Sequence, residues 1–132
     1  MDIQNDDSCI LCGKNNEHGL KIKFNMDKEK QMSHAFVKVS KMFNGYNGIV
    51  HGGITCALLD EAGFYAIMSQ DIITVTMTLN TKFKKPVPID TDLYLEGQVI
   101  EKRSRSVIAS SKIMLNGTVL ASAVGEYFIK KS

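Results

Sequence analysis

The chain has 132 residues, the size of one domain, with 44% hydrophobic residues to fill a core and an ordinary 23% charged. A net charge of +2 excludes the strong basic field that holds nucleic acid by its phosphates. The charge is uneven: residues 1–81 carry nine acids against seven bases, and residues 82–132 nine bases against five acids, so the later part suits a small anion. No apolar run nears the ~18 residues of a membrane span, and Met1–Ser8 lacks the basic start and apolar run of an export signal. Three cysteines cannot all pair. A cytoplasmic protein with reduced thiols, and with no nucleic-acid or membrane partner, is expected.

The chain reads as a single domain over residues 1–132 whose first eight residues are frayed. Cys9-Ile10-Leu11-Cys12-Gly13 follows. Its one Cys-x-x-Cys pair has metal-ligand spacing, but a zinc site needs further ligands from His18, His34 or another chain, so no metal is expected. Leu20, Ile22, Phe24 and Met26 alternate with Lys21, Lys23 and Asn25, and Ala35, Val37 and Val39 begin a second such run. This predicts two strands joined by a charged turn over residues 27–30. Residues 44–48 are loop chemistry. One helix is predicted from residue 54 to about 69, free of proline and preceded by Gly52 and Gly53. Gly63 inside it costs ~1 kcal/mol relative to alanine, which points to close backbone packing. Everything after Gln70 reads as strand. Residues 73–81 alternate and stop at Lys85-Pro86-Val87-Pro88, and residues 93–100, 106–115 and 119–129 supply three more strands. Asn116-Gly117 is a hairpin turn between the last two. The order β-β-α-β-β-β-β is an α+β fold.

The helix carries apolar residues on nearly every side, which predicts burial inside a curling sheet. Between Met42 and Gln70 the only charged residues are Asp60 and Glu61, in its middle. A buried unpaired carboxylate costs several kcal/mol, so such a pair calls for partners, water or a functional site. His51-Gly52-Gly53 leads into the same helix. Free amide groups there, with the positive end of the helix dipole, suit a carbonyl oxygen that gains negative charge during reaction. Gly52 and Asp60 are eight positions apart, ~12 Å along one helix, whereas a reacting carbonyl needs its donor within ~3 Å. One helix cannot supply both. Two copies packed antiparallel about a two-fold axis can, and the site is then shared between them.

These residues resemble a family. Tyr46-Asn47-Gly48-Ile49-Val50-His51-Gly52-Gly53-Ile54, followed by Leu58-Leu59-Asp60-Glu61-Ala62, is similar to the hot-dog-fold acyl-CoA thioesterases of the phenylacetate-pathway (PaaI-like) and 4-hydroxybenzoyl-CoA thioesterase type. Cys9-x-x-Cys12-Gly13 with Asn16 and Gly19-Leu20 is similar to one branch of that group. The resemblance implies a long central helix wrapped by a five- to six-stranded antiparallel sheet, assembled as a homodimer or a dimer of dimers. It implies an acyl-CoA substrate, with coenzyme A as part of the substrate and no other cofactor. The acid nine positions after the histidine, here Asp60, is implied as nucleophile or general base, with Glu61 its competitor. The Gly52 amide is implied to polarise the thioester carbonyl, and a hydroxyl on the following strand, here Thr74, to hold water. Relatives often carry Asn or Gln six positions before the histidine, where this chain has Gly45 with Asn44 and Asn47 nearby.

Asn47 and Gly53 are assigned to substrate binding, and Lys84, Lys85, Arg103 and Arg105 to the phosphates of coenzyme A. Phe64 and Tyr65 are candidate pocket lining, and Cys56 packs in the helix. His51 is expected to bond to backbone. If it acts as a base instead, the chain is a hot-dog dehydratase or hydratase; the other alternative is a non-catalytic acyl-CoA-binding protein.

Overall fold

The computed structural model describes residues 4–130. The elements are β1 (Asn25–Asp27), β2 (Met32–Lys38), a short 3-10 turn (Lys41–Phe43), α1 (Gly52–Met68), β3 (Thr74–Phe83), β4 (Asp92–Lys102), β5 (Ser106–Leu115) and β6 (Thr118–Ile129). The strands form one antiparallel sheet in the order β1-β2-β4-β5-β6-β3. This is the hot-dog arrangement, one long helix against a six-stranded sheet. The strand that directly follows the helix, β3, forms an edge.

Two rows of side chains across the sheet make the bed for the helix. Ala35, Leu95, Ile113 and Ala121 stand opposite one another on β2, β4, β5 and β6, and all are fully buried. The next row is small: Ser33, Gly97, Ser111 and Ala123. A Cβ on Gly97 would lie 2.0 Å from the Ala62 carbonyl oxygen, and the Ser33 hydroxyl donates to that oxygen at 2.6 Å. The small row therefore lets the middle of α1 press its backbone onto the sheet. The close packing predicted at Gly63 is real. A Cβ there would lie 2.4 Å from the hydroxyl of the fully buried Tyr127, which donates to the Asp60 carbonyl at 3.2 Å. Leu58, Leu59, Ala62, Ala66 and Ile67 are buried on this side, whereas Ile54, Ala57, Phe64 and Tyr65 are only half-buried. One chain thus leaves a flank of the helix incompletely covered.

Three sequence expectations are corrected. The first strand shrinks to Asn25–Asp27, because Lys21 adopts a left-handed conformation (φ 52°) and the Ile22 N–H bonds the Leu11 carbonyl at 2.9 Å instead of joining a ladder. On β3 the apolar set of the alternation is not buried, and Thr76 and Thr78 beside it are exposed too. Thr74 is buried, while Ile73, Val75 and Met77 are 48%, 42% and 46% exposed. Of the frayed start, residues 1–3 lie outside the described residues. Asp7 and Ser8 are tied in, their carbonyls accepting from Asn15 N–H at 2.8 Å and Asn16 Nδ2 at 3.0 Å. No helix among the described residues is long and apolar enough to cross a membrane.

Candidate active site

Asp60 sits where α1 crosses β3. Its Oδ1 accepts a hydrogen bond from the Thr76 hydroxyl at 2.7 Å, while Tyr127 holds its backbone carbonyl. Among the described residues no basic side chain pairs with it. One residue beyond Thr76 the β3–β6 register shifts, so Met77 is an extra residue that bends the strand next to this contact. Thr74, the expected water-holding hydroxyl, opens on the same cavity, but its buried Oγ1 has no hydrogen-bond partner. Thr74 and Thr76 share a face of the strand, and sequence alone carried no signal for which of the two reaches the carboxylate.

Glu61 points away from Thr76 toward the N-terminal turn. Its Oε1 faces Cys9 Sγ at 3.6 Å, and its Oε2 is buried without a partner. Burial raises its pKa above the usual carboxylate range, opposed by the Cys12 and Cys9 thiols and reinforced by the charge on Asp60. Burial also pushes the Cys12 thiol up to about 12 and raises the Tyr65 hydroxyl. Asp60, Glu61, Thr74, Thr76, Cys9 and Cys12 line one cavity of about 470 Å³, which Phe64 and Tyr65 also border.

A second cavity, about 660 Å³, lies at the start of α1 and is lined by Gly45, Tyr46, His51, Gly52, Lys84 and Lys85 among others. His51 is the helix N-cap, its Nδ1 accepting the Gly53 N–H at 2.9 Å. That bond occupies the imidazole Nδ1 and the Gly53 amide, so of the two glycine amides the one left for a ligand is Gly52, whose N–H has no acceptor among the described residues. The Phe83 ring, 3.9 Å from where a Cβ on Gly52 would lie, leaves this position open. Asn47 is exposed on the preceding turn beside Gly48 (φ 79°) and does not line the cavity.

The four cationic candidates fall into two groups. Lys84 and Lys85 line the Gly52 cavity, next to the end of β3. Arg103 and Arg105 lie on the β4–β5 turn, where the Arg105 carbonyl accepts from Ile129, the residue paired with Thr74 at the start of β3. Ten strand residues at ~3.3 Å each put the ends of β3 about 30 Å apart, so one chain does not bring lysines and arginines together. Arg103 is moreover bonded to Glu101 and, at 3.4 Å, to Glu126.

Residues 47–122 match the family model described as the thioesterase superfamily. Solved structures agree. A thioesterase superfamily protein superposes with TM-score 0.85 at 22% identity over 94% of this chain, which spans only 61% of that protein's length. Zebrafish thioesterase superfamily member 2 superposes with TM-score 0.78 at 18% identity over 90% of each chain. A Streptococcus mutans protein solved with acetyl CoA gives 0.76 at 17% identity over 84% of this chain and 90% of its own. No curated protein matches the sequence.

Proposed function

The chain belongs to the thioesterase superfamily; from that premise we propose that it is a thioester hydrolase that converts an acyl-CoA to the free acid and coenzyme A in a site shared by two protomers. The observation that carries the proposal is Asp60, a carboxylate held on one oxygen by Thr76 in a cavity that Lys130 also borders, with no ion pair to it among the described residues. Its second oxygen is free to take a proton from water, or to attack the thioester itself. In the first route the water oxygen bonds to the carbonyl carbon, the C–S bond breaks and the thiolate leaves with the proton. The developing oxyanion accepts the Gly52 N–H of the partner protomer. Lys84 and Lys85 beside that amide suit coenzyme A phosphates, and the acetyl CoA held by the Streptococcus mutans relative supports the substrate class.

The shared site follows from the edge strand. Thr76 of β3 lies against the Asp60 cavity and Phe83 against the Gly52 cavity, and the strand that joins them offers an open edge with half-exposed Val75 and Met77. A second copy paired antiparallel along β3 sets each Gly52 toward the other's Asp60 and covers those apolar side chains. The unpaired cysteines suit a reducing, cytoplasmic setting.

The test is free-thiol release over a panel of acyl-CoAs by wild type and Asp60→Asn. The variant is expected to fold normally and to lose at least ~100-fold in turnover. Near-normal turnover by it, with Glu61→Gln inactive, moves the role to Glu61. Ligand binding without thiol release in the wild type favours a binding protein, and a change in enoyl-thioester absorbance without thiol release favours a hydratase.

A further inference from the structure

The Cys9–Gly13 turn has no part in the hydrolysis described above, yet it is closely built. The N–H groups of Leu11 and Cys12 both donate to Cys9 Sγ at 3.4 Å. The Gly13 N–H bonds the Cys9 carbonyl at 2.9 Å, and a Cβ on Gly13 would lie 2.3 Å from Cys9 N and 2.5 Å from Asp7 O, so only glycine closes the turn. Leu11 is buried, and the Ile10 and Leu11 carbonyls take the N–H groups of Leu20 and Ile22 at 2.9 Å.

We propose that Cys9, Cys12 and Glu61 form a zinc site with one coordination position open to the Asp60 cavity. The ligand atoms of these three residues all lie within 4.8 Å of one another. Around tetrahedral zinc, with Zn–S ~2.3 Å and Zn–O ~2.1 Å, a sulfur and an oxygen ligand stand about 3.6 Å apart. Cys9 Sγ and Glu61 Oε1 are 3.6 Å apart. The second oxygen of Glu61, buried and without a hydrogen-bond partner, is the independent observation that points to a cation. A carboxylate left so is costly unless a charge meets it, and a cation between the thiols supplies that charge. Two sulfurs and one carboxylate suit zinc and exclude magnesium and calcium, which take oxygen ligands alone. Neither His18 nor His34, the ligands that spacing suggested, belongs to the group. The two adjacent carboxylates thus divide: Glu61 fastens the N-terminal turn to α1 through the metal, and Asp60 is left for the thioester.

The test is a cobalt titration of the full, phosphine-reduced, metal-free chain, followed by zinc competition against a chromophoric chelator. One equivalent of cobalt is expected to bring up thiolate-to-metal charge transfer and the visible bands of a tetrahedral ion, and zinc to displace it. Cys9→Ser and Cys12→Ser should each weaken zinc by more than the ~10–100-fold that an outer-shell partner costs, and diminish the charge-transfer band. Glu61→Gln should weaken zinc while keeping that band, and His18→Ala should change nothing. A wild-type chain without the charge-transfer band, or a Cys9→Ser variant that keeps it at full strength, overturns the site. The wild-type spectrum needs no variant to fold, and none of these readouts depends on hydrolysis, so the zinc site and the catalytic assignment fail separately.

Discussion

Gly52→Pro removes a single hydrogen-bond donor and nothing else that the fold uses. Gly52 is the first residue of α1, where an N–H has no intrahelical acceptor and where proline is favoured. A residue before proline must be extended, and His51 already is, with φ −53° and ψ 137°. A Cβ there meets only the Phe83 ring, at 3.9 Å, and the His51 cap acts on Gly53, which is untouched. The variant should therefore match the wild type in stability or exceed it by ~0.4–1 kcal/mol through the stiffened unfolded chain. Loss of one oxyanion donor costs ~2.7–4 kcal/mol, a fall in kcat of ~100- to 1,000-fold. Gly52→Ala keeps the N–H and should keep most of the activity. The assay is free-thiol release by the three proteins, with thermal unfolding run in parallel. Wild-type kcat in a fully folded Gly52→Pro protein would refute the role of the Gly52 amide and, with it, the need for two protomers at one site.

The shared site makes its own prediction. Asp60→Asn and Gly52→Pro chains, each inactive alone, should recover about a quarter of wild-type activity when co-expressed equally, because half the dimers are mixed and each holds one intact site; no recovery in mixed dimers isolated by two tags speaks against sharing. Thr76→Val removes a hydrogen bond to a carboxylate worth ~1.5–3 kcal/mol, so kcat should fall ~10- to 150-fold with KM little changed, and Thr76→Ser should restore it. Gly63→Ala gains ~1 kcal/mol of helix propensity but forces a methyl group onto the Tyr127 hydroxyl, at ~1–3 kcal/mol of overpacking. Urea unfolding should therefore show Gly63→Ala to be less harmful in a Tyr127→Phe background than in the wild type, and equal effects in both would contradict the contact.

What could be read from the sequence was what is local. The helix was legible because it lacks proline and is apolar for four turns, and β5 because its bounds coincide with a run between two turns. The Asp60–Glu61 pair stood out by chemistry, since charge in such a helix needs a reason. What escaped depends on how distant segments meet. Cys9 and Glu61 touch across 52 positions, so Cys-x-x-Cys spacing could suggest histidines but not a carboxylate from the helix. Lys84, Lys85, Arg103 and Arg105 look like one basic cluster along the chain, and only the β3–β6 register puts them at opposite ends of the sheet.

The exposure of the apolar set on β3 reaches furthest. Period-two alternation says that two faces differ but not which one a single chain covers. Ile73, Val75 and Met77 carry the apolar pattern of a buried face and yet are half-exposed at an edge. A pattern of this kind is accounted for when the covering surface comes from another molecule. The same edge lies beside both cavities, so the covering that satisfies the hydrophobic pattern is also the one that unites Asp60 with a Gly52 amide. Folding energetics and catalysis then ask for the same contact. A charged side chain at Met77, half-exposed on β3 and not part of the lining of the Asp60 cavity, should separate the protomers in sedimentation and abolish free-thiol release together while leaving each chain folded.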